Sequence, residues 1–149
     1  MPTYAVNKKA RFEYEILETL EAGLMLSGPE VKSVRGGHIR LSGAYVTFHG
    51  TSASLLNAHI APYPYAQQEG YDPTHSRRLL LKSQEINNLR GKLTEKGLTI
   101  IPLSVYTKGD KIKVEIGLGK GKKAFDKRES IKNKDQKREI ARKIRQNYE

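Results

Sequence analysis

The sequence predicts a mainly β domain with short helices, an OB-fold-like antiparallel β-barrel, joined to a basic C-terminal tail. Several short segments alternate apolar and polar residues with period two, the signature of half-buried strands. Only two stretches between them carry helical spacing. The 149 residues suit one domain with an appendage. A small β-rich domain manages its sheet edges best by closing on itself.

In chain order, Phe12, Tyr14 and Ile16 alternate with Glu13 and Glu15 as a first strand, and Gly23 with Leu24-Met25-Leu26 continues or bends it. Pro29 at a first helical position, Val31 and Val34 three apart, and Gly36-Gly37 as a stop predict a short helix. Residues 44–48 and 54–60 flank a turn at Gly50-Thr51 and form a hairpin. The segment from Pro62 to Pro73, with Tyr63, Tyr65 and Tyr71, is turn-rich and is either a packed surface loop or a set of stacking platforms. In Leu79-Leu80-Leu81, the alternation of a strand turns one leucine away from its neighbours and leaves room for an apolar contact outside the core. Ser83 as a cap, Ile86, Leu89 and Leu93 at i, i+3 and i+7, and Gly97 as a left-handed stop predict a second helix. Residues 100–106 read as a strand with Pro102 at an edge or bulge. Lys108-Gly109-Asp110 turns it into residues 111–116, which alternate without a break.

Charge divides the chain. Lys and Arg number 27 against 16 Asp and Glu, a net charge of +11 and a pI near 9.8. Residues 117–149 hold 12 of those cations, 5 acids and only eight apolar side chains, too few to offset the entropy of ordering. The expected division is a barrel over 1–116 and a basic tail over 117–149, disordered when free. The same tail has helix-forming features: capping-box spacing from Asp126 to Glu129, no Pro or Gly from Lys127 to Gln146, and a Glu139–Lys143 pair in the favoured order. It is expected to become helical against a polyanion, with positive charge on all sides. An amphipathic membrane helix fits poorly, because Ile131 and Ile140 fall on opposite faces and only Ile140, Ile144 and Tyr148 make a stripe.

Enzyme chemistry finds little support. The absence of cysteine removes disulfides and thiolate metal sites. His38, His49, His59 and His75 lack any HxxxH or HxH spacing, and no G-x-S-x-G element occurs. The run Gly117–Lys123 is one residue short of a phosphate loop and puts Lys123 where a hydroxyl is needed. Its glycines between lysines still suit close contact with a phosphate backbone. No catalytic residue, metal or cofactor is expected. No apolar run exceeds three residues, and the first twenty contain no secretory apolar region, so a soluble cytoplasmic protein without a membrane partner is expected. A polyanion, nucleic acid first, is the expected ligand. Lys8, Lys9 and Arg11 cluster before the first strand, Lys32 and Arg35 share a helix face, and Lys111 and Lys113 share the charged face of the last strand. Such groups position an RNA without reading its sequence. Glu21 and Glu30 are unusual there, and either accept from base amino groups or orient an arginine.

Several strings taken together resemble one family: Asn7-Lys8-Lys9-Ala10-Arg11, Leu20-Glu21-Ala22-Gly23-Leu24, Glu30-Val31-Lys32-Ser33-Val34-Arg35, Leu56-Asn57-Ala58-His59-Ile60, Arg77-Arg78-Leu79-Leu80-Leu81, residues 96–103 and Gly121-Lys122-Lys123-Ala124-Phe125-Asp126-Lys127-Arg128. From about Asn7 to the C-terminus the chain is similar to the SsrA-binding proteins of bacterial trans-translation. The resemblance implies an OB-type barrel that binds the tRNA-like domain of transfer-messenger RNA and delivers it to 70S ribosomes stalled without a stop codon. Small-subunit RNA is the main ribosomal contact, and elongation factor Tu is a further partner through the aminoacylated RNA. By this resemblance Glu21, Leu80 and Lys113 match RNA-binding positions, Gly121, Lys122 and Lys123 a further contact, and Asp126, Lys127 and Arg128 a motif needed for accommodation. The expected RNA-binding set is Lys8, Arg11, Glu21, Glu30, Lys32, Ser33, Arg35, Arg77, Arg78, Leu80, Lys113, Gly121, Lys122 and Lys123. The expected decoding-centre set is Phe125, Asp126, Lys127, Arg128, Lys132, Lys134, Arg138, Arg142 and Arg145.

Three departures from the family pattern stand out. His75 stands where an arginine is common, which lowers phosphate affinity or makes it pH-sensitive. Phe125 replaces His or Tyr and keeps an aromatic face. Gly119-Lys120 replaces a common Ala-Arg. The alternatives to the family reading are a general binder of structured RNA, a basic protein at a membrane surface, and a nuclease.

Overall fold

The computed structural model describes residues 2–66, 69–95 and 97–122. The expectations for the tail, on Lys123, Phe125 to Arg128, Lys132, Lys134, Arg138, Arg142 and Arg145, lie outside the described residues. The elements in order are β1 (Thr3–Val6), α1 (Lys8–Glu13), β2 (Tyr14–Leu24), α2 (Gly28–Arg35), β3 (Ile39–Arg40), β4 (Tyr45–His49), β5 (Ser52–Leu56), β6 (His59–Ile60), β7 (Arg77–Leu80), α3 (Ser83–Lys92), β8 (Leu98–Lys108) and β9 (Lys111–Gly121).

Seven strands form one antiparallel sheet in the order β1-β8-β9-β2-β7-β5-β4, and β3 pairs with β6 beside it. Sheet strand β4 comes back against β8, with no ladder between them among the described residues, so the sheet curls into a partly closed barrel. The long strands β2, β8 and β9 form its spine. On β9 the alternation seen in the sequence puts Ile112, Val114 and Ile116 inside, where they meet Leu55, Ile60, Ile100 and Val105 in the main core.

Helix α2 follows its sequence signals and adds one. Ser27 is the N-cap, its Oγ accepting from Glu30 N–H at 3.3 Å while Glu30 Oε1 accepts from Ser27 N–H at 3.1 Å, the reciprocal capping box. Helix α1 is unforeseen by the alternation reading: Phe12 belongs to it, and the strand begins at Tyr14. The reason is Asn7, whose Oδ1 caps Ala10 N–H at 3.1 Å while its Nδ2 donates to Leu41 and Pro102 carbonyls at 3.3 and 2.9 Å. This interior anchor closes one helical turn and overrides the period-two pattern.

Other elements depart in smaller ways. Ser83 is the first residue of α3 rather than its cap, and Glu85 Oε1 takes the Lys82 N–H at 2.9 Å. Gly97 has the expected positive φ of +86°, five residues after the helix ends at Lys92. Residues 54–60 are not one strand: Asn57 takes φ 64°, and the chain leaves β5 for the small sheet at β6. Pro102 sits at a bulge, as its missing N–H requires, but on an interior strand between β1 and β9.

The largest difference is at 117–121. This segment, expected in a flexible tail, continues β9 between β2 and β8, so the barrel's sheet runs five residues past Ile116. Two of its three glycines, Gly117 and Gly119, are there for closeness rather than flexibility. A Cβ on Gly117 would lie 2.9 Å from Leu103 Cδ1 and 3.2 Å from Ile16 Cγ2, and one on Gly119 would lie 3.1 Å from Tyr14 Cβ.

One ion pair ties the short elements to the barrel. Arg77, its side chain fully buried, donates Nε–H to Glu30 Oε2 at 2.7 Å, and Glu30 is 4% exposed. The other Arg77 nitrogens donate to the carbonyls of Ala58 and Pro73 at 2.7 and 2.8 Å and to the Tyr71 hydroxyl at 3.1 Å. Burial alone would raise the Glu30 carboxyl. The Arg77 bond, the Ser27 N–H and His75 outweigh it and hold the carboxyl at about 2, against an ordinary 4.5. Because the folded value is depressed, the stabilisation is complete above the unfolded value and is lost as pH falls from about 4.5 towards 2. Unfolding in urea should therefore become easier through that window, and Glu30→Gln should flatten this acid dependence. Arg77→Met, which leaves the carboxylate buried and unpaired, should cost about 3–5 kcal/mol at neutral pH in the same measurement.

Candidate nucleic-acid interface

An open cleft of about 450 Å³ lies on the outer face of the sheet, between β2, β7 and β9 and the start of α3. It is lined by Glu21, Gly23, Arg78, Leu80, Lys82 and Lys113, among others. Four of the residues expected from the sequence, Glu21, Arg78, Leu80 and Lys113, are thus brought together from three strands.

Strand register explains the gathering. Tyr106 on β8 faces Lys113 on β9, Lys113 faces Gly23 on β2, and Gly23 faces Leu80 on β7. Residues directly opposite in a ladder share a face, so this is one row across four strands. Gly23 leaves a gap in the row. A Cβ there would lie 3.1 Å from Leu80 Cβ, so the absent side chain is what admits the leucine. Leu80 remains 52% exposed while Leu79 is buried, which identifies the outward-facing member of the leucine run. Glu21 is two residues along β2 from Gly23 and so points to the same face.

The cleft's charges are arranged, not scattered. Glu21 accepts from the Tyr106 hydroxyl and from Lys108 Nζ at 3.5 Å. The Tyr106 bond is the main reason its carboxyl is held below the usual carboxylate range, with Lys108 and Lys113 adding to it against a smaller burial effect. Burial first, and Glu21 second, push the Tyr106 phenol up. Arg78, Lys82 and Lys113 have no ion-pair partner among the described residues. The result is an ionised acceptor, an apolar surface and three available cations within one cleft. That set can hold a base edge, a base or ribose face, and phosphates.

The remaining expected residues lie elsewhere. Glu30, Ser33 and Arg77 are interior groups and present no side chain to a surface ligand. Ser33 Oγ donates to Ala61 O at 2.6 Å, and the other two form the pair described above. Their place in the RNA-contact set is corrected to a framework role, and the cause is burial with every charge satisfied. His75 shares that network: its Nε2 lies 2.9 Å from Glu30 Oε2, so this departure from the arginine pattern is turned to an internal partner. Lys32 and Arg35 project from α2, where Arg35 reaches the Asp110 carbonyl at 3.4 Å. Lys8 and Arg11 lie on α1, and Arg11 borders the cleft's face, 3.7 Å from Glu115, which stands opposite Glu21 in the ladder. Gly121 ends β9, eight residues from Lys113 and so about 26 Å along the strand, and Lys122 follows it. The described surface therefore carries one gathered site and separate basic patches. Gly23, Lys82 and Tyr106 were missed as site residues. A lone glycine inside a strand signals close approach of another chain segment, but Tyr106 becomes visible only through cross-strand register.

A curled antiparallel barrel of the OB-like kind, with an open cleft that gathers cations, an ionised acceptor and an apolar side chain on one face, has the form of a binding domain. The family model described as SmpB protein matches residues 4–146. A curated SsrA-binding protein of Sulfurihydrogenibium is 54% identical over 136 residues, covering 91% of this chain and 90% of its own. That of Lactobacillus acidophilus is 53% identical over 139 residues, covering 93% and 92%. A chain from the structure described as "tmRNA-SmpB: a journey to the center of the bacterial ribosome" superimposes with a TM-score of 0.71 at 42% identity, over 88% of this chain and 95% of that one. The chain belongs to the SsrA-binding protein (SmpB) family.

Removing the phenol donor tests the arrangement around Glu21. In Tyr106→Phe, the Glu21 carboxyl should titrate closer to its ordinary value of 4.5, followed by carboxyl-carbon NMR, while the barrel keeps its melting temperature within a few degrees.

Proposed function

We propose that this chain binds the tRNA-like domain of transfer-messenger RNA through the β2–β7–β9 cleft and delivers it to stalled bacterial ribosomes for trans-translation. The observation that carries the proposal is the convergence of Glu21, Leu80, Arg78 and Lys113 in one cleft, built from three strands that are distant in sequence. Structured RNA is recognised by shape, backbone and unstacked loop bases rather than by reading a deep groove. The cleft offers contacts for a backbone and one unstacked base. The names of the relatives support the RNA, and the structural neighbour supports the ribosome. The family is named for binding and not for a reaction, so the chain acts as an adaptor and no chemical step is assigned to it.

On this reading the basic segment 123–149 serves the ribosome and the barrel serves the RNA. Asp126, Lys127 and Arg128 begin the part that enters the vacant decoding centre and mRNA path, with Lys132, Lys134, Arg138, Arg142 and Arg145 meeting small-subunit RNA. The vacancy of that path is then the signal for a stalled ribosome. Elongation factor Tu joins through the aminoacylated RNA. The site of action is the cytoplasm, where ribosomes are. No helix among the described residues is long and apolar enough to cross a membrane.

Binding to the isolated tRNA-like domain separates the two halves. Lys113→Glu should weaken binding at least tenfold and reduce the slope of log affinity against log salt by about one or more. Leu80→Ser should weaken binding without changing that slope. Replacing Asp126, Lys127 and Arg128 together by alanine should leave this binding within about twofold and abolish tagging in a reconstituted translation system. Unchanged affinity and slope in Lys113→Glu would exclude the cleft.

A further inference from the structure

A second surface carries features that the cleft does not explain. After β6 the chain runs through Pro62-Tyr63-Pro64-Tyr65, closed as a turn by Ala66 N–H donating to Tyr63 O at 3.1 Å. Two prolines in four residues fix the backbone, and Ser33 Oγ fastens the start of the segment to α2 at the Ala61 carbonyl, 2.6 Å away. Tyr65 is 87% exposed, the most open of the large apolar or aromatic side chains on the described surface. It is not a loose end, because its ring stands edge-to-face with Tyr63, centroids 5.4 Å apart and planes at 66°. Lys32 of α2 places its ammonium 5.4 Å from the centroid of the Tyr63 ring, within the range of a cation–π contact. Arg35 follows one turn later on the same helix. The patch shares no residue with the cleft.

An aromatic ring left this open exposes apolar area to water unless something covers it. The neighbouring charges limit what that is. Lys32 and Arg35 favour an anionic partner, as does the net charge of +11. A phenol ring on a braced turn next to a cation matches one nucleotide of single-stranded RNA: the base stacks on the ring and the phosphate meets the ammonium. We infer that Tyr65, braced by Tyr63 and Lys32, is a second RNA-contact point that stacks on an unpaired base and is independent of the β2–β7–β9 cleft.

The two components of such a contact respond differently to salt, which gives the test. Fluorescence anisotropy of a labelled oligoadenylate of about ten nucleotides, titrated with the full chain at several salt concentrations, gives a line of log affinity against log salt. In Tyr65→Ala the line should fall by about fivefold or more at every salt, with its slope unchanged, because stacking releases no counterions. Tyr65→Phe should keep the wild-type line. Lys32→Ala should make the slope shallower by about one. Tyr65 buries almost nothing, so its variants should melt with the wild type, and carrying Lys113→Glu in every protein compared removes the cleft's share of the binding. Unchanged affinity in Tyr65→Ala overturns the inference and leaves the ring for a protein or membrane partner. A loss in Tyr65→Phe equal to that in Tyr65→Ala also overturns it, because the contact would then be a hydroxyl bond and not a stack. The oligonucleotide is not the tRNA-like domain, so failure here leaves the cleft standing, and a failed Lys113→Glu test leaves this one standing.

Discussion

Arg77 enters the interior with all its nitrogens committed, to Glu30, to Tyr71 and to the carbonyls of Ala58 and Pro73. Those partners come from α2, from the turn between β5 and β6, and from the long connection that precedes β7. A single guanidinium therefore fixes three segments that the seven-stranded ladder does not hold. It also fixes β7 itself. With Arg77 inside, alternation sends Arg78 out, Leu79 in and Leu80 out, the burial order observed. A slip of one residue would bury Arg78 and Leu80 and expose Leu79. Replacing a buried ion pair with apolar groups of similar volume is often neutral in stability, so the value of this pair lies in register. The cleft has its leucine because an interior charge pair three residues away permits no other alignment.

The cleft depends equally on an absence. Tyr106, Lys113, Gly23 and Leu80 lie in one row across β8, β9, β2 and β7, and three of them carry large side chains. A fourth large side chain at the centre would fill the row and make a flat, packed sheet face. Gly23 interrupts it, Leu80 leans across β2, and a concavity forms on a surface that would otherwise be convex. The same device recurs at Gly117 and Gly119, where missing side chains let Leu103 and Tyr14 close over β9. In a small barrel with few loops, glycine on a central strand is the means of making both a depression outside and close packing within.

What the sequence revealed and what it hid follow from the range of the interactions. The alternation of residues 111–116, the helix signals from Pro29 to Gly37 and the turn at Gly50 are local, and each appears where the sequence places it. Helix α1 was hidden because Asn7 reaches Leu41 and Pro102, 34 and 95 residues away, and those bonds outweigh the pattern at Phe12. The glycines after Ile116 resembled a flexible loop because their closeness to Leu103 and Tyr14 has no local sign. Glu30 and Arg77 enter the RNA-contact set through the strings that carry the family resemblance, whereas the alternative that Glu30 orients an arginine is the arrangement observed. They are 47 residues apart, and nothing in either neighbourhood announces the other. Glu21, Leu80 and Lys113 were grouped through the family resemblance, and the strand register supplies the physical reason they belong together.

A carboxylate in a cation-lined cleft has a cost that must be set against some gain. Glu21 repels phosphate and weakens the attraction of the cleft's cations for a polyanion. A cleft selected only for affinity would not hold it ionised with a tyrosine hydroxyl and a lysine. Those two partners also fix its orientation, so its remaining lone pairs meet a ligand in a set direction. An oriented acceptor rewards only a ligand that brings an N–H or O–H donor to that point, and it penalises one that brings a phosphate there. Lys113 and Arg78 by themselves would accept any polyanion. Glu21 among them makes the cleft discriminate, because a duplex passing over it with only phosphates exposed meets a like charge. A loop with an unstacked base meets a partner. With RNA in the cleft, as proposed, the acid would trade general affinity for selection of structured RNA with exposed bases.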